Sequence, residues 1–135
     1  SVLEAIETSD VLVLGPGSWF TSVMPHLLVP QIVEAIMDSD ALKILTLNVA
    51  GADETNGFSP ARHLEVLAEH EPRIRFEVVL ADRSFARSDP HLGTFARNLG
   101  ARIVEADLAM HDGSARHDPL RLASAYAEVM GVRIR

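Results

Sequence analysis

The residues best suited to chemistry begin where the apolar run Val11-Leu12-Val13-Leu14 gives way to Gly15-Pro16-Gly17-Ser18 and then to Trp19-Phe20-Thr21-Ser22. Two glycines let main-chain N–H groups approach a ligand closely. A helix starting just after them would aim its unsatisfied donors and positive dipole end at the same point. The chemistry this suits is the grip of an anion, a phosphate above all, with the hydroxyls of Ser18, Thr21 and Ser22 as added donors. No Gly-Lys-Ser/Thr follows, which excludes a P-loop, and Phe20 stands where the dinucleotide fingerprint needs a third glycine. A tight strand-to-helix turn without a ligand is the competing reading, and the three clustered hydroxyls favour binding.

A second loop of small and polar residues, Asn48-Val49-Ala50-Gly51-Ala52-Asp53-Glu54-Thr55-Asn56-Gly57-Phe58, follows the next apolar run. Asn48 and Thr55 offer neutral donors and acceptors suited to a sugar or a base. The adjacent carboxylates of Asp53 and Glu54 suit Mg²⁺ or a sugar hydroxyl, or are simply solvated. His63, near the start of the following helix, could donate to a phosphate, although a lone histidine is more often a surface or capping residue. In Arg116-His117-Asp118-Pro119 the aspartate has the job of capping a helix. Arg116 could then grip a diphosphate with two parallel N–H bonds, or pair on the surface with Asp112 or Asp107. Metal–histidine chemistry is not indicated: there is no His-Glu-x-x-His, and His63 and His70 are two helical turns apart. Nor is there a nucleophile elbow, a Ser-x-x-Lys pair or a recognisable acid/base dyad.

The elements that must position these residues are legible as β/α alternation. Apolar runs at Val11–Leu14, Leu42–Leu47, Phe76–Leu80 and Arg102–Glu105 each precede a polar loop and a helical pattern. Runs without apolar/polar alternation suit strands covered on both faces, so the expected fold class is α/β: a Rossmann-like three-layer sandwich with a mostly parallel, doubly wound sheet. In such a sheet both loops lie on one edge, and that edge is the expected site. Ser59-Pro60, Asp89-Pro90 and Asp118-Pro119 each place a capping oxygen before a proline in a first helical turn. The helices they open carry Leu64, Leu67 and Ala68; Leu92, Phe95, Ala96 and Leu99; and Leu120, Leu122, Ala123, Tyr126 and Met130 at helical spacing. Gly100 and Gly131 fall where helices stop. Between Thr21 and Ser39 the pattern predicts a short helix and then a longer one, divided at Pro30.

The 135 residues, 47% of them apolar, suffice for one core, and residues 1–135 are expected to form a single domain. A net charge of −7 without any basic run argues against nucleic acid. The apolar stretches are interrupted by Pro25 and Pro30 and fall short of the roughly twenty residues that span a bilayer, so no membrane span is expected. The absence of cysteine removes thiolate catalysis and zinc–thiolate sites, and with no secretory signal at its start the chain is expected to be cytoplasmic. Its opening, Ser1-Val2-Leu3-Glu4-Ala5-Ile6-Glu7-Thr8, looks like the last turns of a helix already under way, as in the C-terminal portion of a longer domain.

In order and spacing, Gly15 through Ser22, Pro25-His26-Leu27-Leu28, Asn48 through Phe58 with His63, and Arg116-His117-Asp118-Pro119 resemble the C-terminal half of the YvcK-like (gluconeogenesis factor, CofD-related) family. The first loop separates two branches of that superfamily: the 2-phospho-L-lactate transferase branch typically carries Gly-Pro-Ser-Asn-Pro, whereas Gly17-Ser18-Trp19 looks like YvcK. Glu54-Thr55-Asn56-Gly57-Phe58 is similar to the Glu-Thr-Asp-Gly-Tyr of the YvcK branch, with Asn56 in place of the acid and Phe58 in place of the tyrosine. Arg62-His63 stands for the usual Asp-His pair.

The resemblance implies a Rossmann-like protein that binds a nucleotide-sugar of the UDP-N-acetylglucosamine type and affects gluconeogenic growth, cell shape and cell-wall precursor supply. By position Gly15, Gly17, Ser18, Thr21 and Ser22 would face the phosphates. Asn48, Glu54 and Thr55 would face the adjoining part of the ligand, and Arg116 the diphosphate or sugar, with His63 a further ligand-binding candidate. The expected ligand is a UDP-sugar or another nucleotide, a homodimer is the assembly considered, and no catalytic residue is named. The alternative is a CofD-like transferase of a phosphate-bearing group in deazaflavin coenzyme synthesis, and only there is Mg²⁺ expected. A third reading leaves the segment only sheet edge and dimer surface.

Overall fold

A computed structural model describes residues 4, 6, 8–15, 30–47, 60–110 and 117–131, the side chains of Pro60 and His63 excepted. Glu4, Ile6 and Thr8 are helical, and the Thr8 hydroxyl donates to the Glu4 carbonyl at 2.8 Å. Among the described residues four strands follow, β1 (Val11–Leu14), β2 (Leu42–Thr46), β3 (Val78–Asp82) and β4 (Arg102–Ala106). Between them lie α1 (Pro30–Asp38), α2 (Pro60–His70), α3 (Arg83–Arg87) and α4 (Leu92–Asn98), and α5 (Pro119–Val129) comes last. Among the described residues no helix is long and apolar enough to cross a membrane.

All three strand pairs are parallel, with Val11 opposite Leu42, Ile44 opposite Val78, and Val78 opposite Arg102. The α/β sandwich expected from the sequence is therefore present. Its strand order is β1-β2-β3-β4, so successive crossovers step one way. Right-handed crossovers of that kind put their helices on a single face. Accordingly Val33 of α1, Leu64 and Leu67 of α2, and Leu92 and Ala96 of α4 share one cluster with Leu45, Leu47, Val79 and Ala81. The other face, carrying Ile44, Val78 and Leu80, is closed by Ala125, Leu122, Tyr126 and Val129 of α5. Two covered faces make three layers, but the doubly wound strand order expected from the sequence is replaced by a sequential one within these four strands.

The proline-led helix starts at Pro30, Pro60 and Pro119 are all present, because proline's fixed φ suits a first turn whose N–H has no helical partner. Asp118 caps α5, its Oδ1 accepting from Leu120 N at 2.9 Å and from Arg121 N at 3.4 Å. Asp89 behaves differently from expectation. The helix it should open begins only at Leu92, with His91 as N-cap and no side-chain cap. Buried at 8% exposure, Asp89 instead accepts from His91 N and, across to α2, from Ala61 N, both at 2.9 Å. One carboxylate thus satisfies orphan donors on two elements.

Two further departures have simple causes. The third strand starts at Val78 rather than Phe76 and runs on to Asp82, since a buried carboxylate at its end is satisfied by main-chain donors. On α5 the buried stripe is Leu122, Ala125, Tyr126 and Val129, while Leu120 and Met130 are 82% and 40% exposed. The expected stripe joined residues from two faces of the helix. The stop signals at Gly100 and Gly131 hold, with φ of +74° and +71°.

Candidate functional site

In an all-parallel sheet every strand delivers its carboxyl end to the same edge, where α/β proteins place their ligands. At the end of β1, Gly15 has φ +79°, and a Cβ there would meet the Thr46 carbonyl oxygen at 2.5 Å. The first loop thus leaves the sheet pressed against the backbone of β2, and only glycine permits both the dihedral and the approach. At the end of β2, Leu47 N donates to Leu80 O at 2.9 Å, tying the start of the second loop to β3. The two glycine-bearing loops therefore leave from neighbouring strand ends.

Polar side chains line that edge. Thr46, 2% exposed, shares a 2.6 Å hydrogen bond with the Tyr126 hydroxyl, which brings α5 onto the end of β2. Burial raises the Tyr126 phenol above its ordinary range, against the opposing effect of the Thr46 bond, so it stays neutral. Asp82, 5% exposed, ends β3; its Oδ1 accepts from Leu108 N at 2.9 Å and its Oδ2 from Ser84 N at 3.2 Å. The segment leading into α5 is fastened to the same place: Asp118 N donates to Leu108 O at 2.7 Å, and Ala109 and His117 form an antiparallel bridge.

His117 joins these parts. Its ring lies by the Leu47 carbonyl and Asp82, and its Nε2 is buried without a hydrogen-bond partner. Burial pushes the imidazole below its ordinary value; Leu47 and Asp82 pull the other way. Because Leu47 immediately precedes Asn48 and His117 immediately follows Arg116, this one side chain links the backbone beside two expected site residues.

Of the expected site residues, Gly15 lies on this edge, and the main chain of His63 lies in α2. Gly17, Ser18, Thr21, Ser22, Asn48, Glu54, Thr55 and Arg116 fall outside the described residues, as do Asp53 and Asp112. Asp107, the surface partner considered for Arg116, forms a 2.8 Å ion pair with Arg121. Sequence reasoning does not single out Thr46 or Asp82, and names Tyr126 only on the apolar stripe of its helix. An acid closing the apolar run Val78–Ala81, and a tyrosine on the apolar face of a helix, were the available signals.

The opposite edge of the sheet is chemically different. A hollow of about 450 Å³ there is lined by Thr8, Ser9, Asp10, Asp38, Ser39 and Asp40, among others. Beside it the Lys43 ammonium donates to the Ser39 carbonyl at 2.7 Å. Three aspartates make this edge a poor host for an anion.

Fold and edge together define a Rossmann-like α/β protein with a polar, glycine-bearing carboxyl edge as its candidate site. Comparison with known proteins narrows the class. The family model described as 2-phospho-L-lactate transferase CofD matches residues 1–119, and the chain belongs to that family. A Mycobacterium leprae protein bearing the gluconeogenesis factor name is 42% identical over 136 residues, a match covering 98% of this chain and 37% of that protein. The gluconeogenesis factor of Halalkalibacterium halodurans is 49% identical over 69 residues, 50% of this chain and 21% of that protein. A crystal structure of a UPF0052 family member from Bacillus halodurans superposes with a TM-score of 0.75 at 30% identity, covering 91% of this chain and 44% of that one. The chain thus spans under half the length of these relatives.

Proposed function

We propose that this segment is part of a regulatory protein that binds a nucleotide-sugar of the UDP-N-acetylglucosamine type in the cytoplasm and, through it, tunes gluconeogenic growth, cell shape and cell-wall precursor supply. The observation that carries the reading is the edge where Gly15 abuts Thr46 and His117 reaches Leu47. There the phosphate-suited loop after β1 and the sugar-suited loop after β2 leave the sheet side by side. Gly17, Ser18, Thr21 and Ser22 would then supply main-chain and hydroxyl donors to the diphosphate, with Arg116 as the cationic clamp. Asn48, Glu54, Thr55 and His63 would meet the rest of the ligand. The gluconeogenesis factor name of its relatives supports the regulatory role.

Calorimetry on the complete natural chain tests this. UDP-N-acetylglucosamine should bind, and Ser18→Ala and Arg116→Ala should each weaken it. Silence with UDP-sugars alongside tight binding of an unrelated nucleotide would overturn the reading. The description of the matching family model favours a second one, transfer of a phosphate-bearing group. On that reading Asp53 or Glu54 holds Mg²⁺, and a nucleotide product accumulates from a nucleoside-diphosphate substrate only when Mg²⁺ is present. Among the described residues no group of three or more His, Asp or Glu side chains could hold a metal ion.

A further inference from the structure

The two outer strands of the sheet are built differently. On one side β4 carries the exposed charges of Arg102 and Glu105, and Glu105 accepts from Arg87 of α3 at 3.1 Å. Charged side chains of this kind keep an outer strand from pairing with whatever it meets. On the other side β1 is Val-Leu-Val-Leu and has no such protection. Its register fixes which groups it leaves open. Leu42 N donates to Asp10 O at 2.9 Å and Val11 lies opposite Leu42, so Asp10, Leu12 and Leu14 turn their main-chain groups toward β2. Val11 and Val13 therefore turn theirs outward, and among the described residues no strand pairs with them. The side chains are apolar on both faces of the sheet. Leu14 packs with the cluster under α1, α2 and α4, and Val11 with the cluster under α5. Val13, which shares a face with Val11, is 44% exposed.

We propose that the open side of β1 takes a further parallel strand of the same polypeptide, drawn from the length by which the relatives exceed this chain, so that β1 is an inner strand of the complete protein. An uninterrupted apolar run belongs to a parallel strand covered on both faces, and left open at the side of a sheet it invites aggregation. All three existing pairs are parallel, and each later strand is added beyond β2, away from the open side. A parallel neighbour has to arrive through a crossover of about a dozen residues or more. The relatives have room for one, because this chain covers 37% of one and 44% of another. A second copy fits less well. Two copies meeting at β1 about a two-fold axis would pair antiparallel in a sheet that is otherwise parallel, and only Val11 and Val13 would hold them together.

Amide hydrogen exchange in the complete natural chain, followed residue by residue by NMR without any ligand, tests this. The comparison is internal to β1. The N–H groups of Leu12 and Leu14 face β2 whatever lies outside, whereas those of Val11 and Val13 are held only if a further strand is present. Protection at Val11 and Val13 within about tenfold of that at Leu12 and Leu14 is the expected result, and exchange faster than that would overturn the proposal. The partner is read from through-space contacts of the Val11 and Val13 amides. They should reach a residue outside 1–135, in parallel register. Contacts to another residue of 1–135 would overturn the proposal. So would protection that disappears when a dimer is diluted to monomer, which would give this side of the sheet to a second copy.

Discussion

Replacing Gly15 by alanine tests whether the ends of β1 and β2 abut as described. Two costs combine there. The dihedral, φ +79°, is one that an L-residue adopts at a penalty of roughly 1–2 kcal/mol. The new Cβ would also stand 2.5 Å from the Thr46 carbonyl oxygen, where ordinary contact begins at 3.4 Å, and a backbone atom at the end of an inner strand cannot move aside as a side chain can. Gly131 supplies the control. Its φ is +71°, but nothing lies within 4 Å of the position its Cβ would take, so Gly131→Ala should pay only the dihedral term, about 1–2 kcal/mol. Gly100 is intermediate: φ is +74° and the nearest atom is Cδ of the flexible Arg75 at 3.3 Å. Urea unfolding followed by circular dichroism should rank the losses Gly131→Ala, Gly100→Ala, Gly15→Ala in ascending order, with overpacking adding about 1–3 kcal/mol at Gly15. Equal losses at Gly15 and Gly131 would refute the close approach of the first loop to β2.

Three further outcomes follow from the same geometry. Tyr126→Phe leaves the buried Thr46 hydroxyl without its partner and should cost about 1–3 kcal/mol, much of it recovered in the Tyr126→Phe, Thr46→Val double variant, as a double-mutant cycle by denaturant unfolding would read. Asp89→Ala removes the acceptor of two main-chain donors, one of them in the first turn of α2, and should cost about 1–3 kcal/mol, with Asp89→Asn in between, measured by thermal unfolding. For His117 the folded-state pKa lies below the ordinary 6.5, so the unfolded chain binds the extra proton first as pH falls. Its contribution to stability is therefore complete above about pH 6.5, declines below it, and levels off once the folded ring also protonates. The stability difference between wild type and His117→Asn, followed from pH 7.5 downward, should shift against wild type in that window; a flat difference would contradict the burial of the ring.

Much of the fold was legible because the signals were local. Uninterrupted apolar runs marked the buried parallel strands, and β1 begins and ends where its run does. Proline after a capping oxygen marked the start of α5, and glycine its end. The failures share a physical cause, namely partners distant in sequence. Asp89 looked like a local helix cap, yet one of its oxygens serves Ala61, 28 residues away. The five-residue α3 has too few positions to show a period, and is announced only by Asp82 accepting from Ser84 N. Strand order depends on which strands meet, and no single run encodes it. At the site, the glycines were visible as types and spacing, whereas the Thr46–Tyr126 bond joins residues 80 apart. The orphaned Nε2 of His117 arises from the folded surroundings of the ring and has no counterpart in a sequence motif.

The central claim is that the carboxyl edge of the sheet, and not the acidic hollow at its other end, receives a nucleotide-sugar. Main-chain ¹⁵N NMR of the complete chain titrated with UDP-N-acetylglucosamine tests it most directly. Saturable shifts at Gly15, Leu47, Leu108 and His117, with Asp10, Ser39 and Asp40 unmoved, are the predicted result. Shifts confined to Asp10, Ser39 and Asp40, with the carboxyl edge silent at saturation, would contradict it.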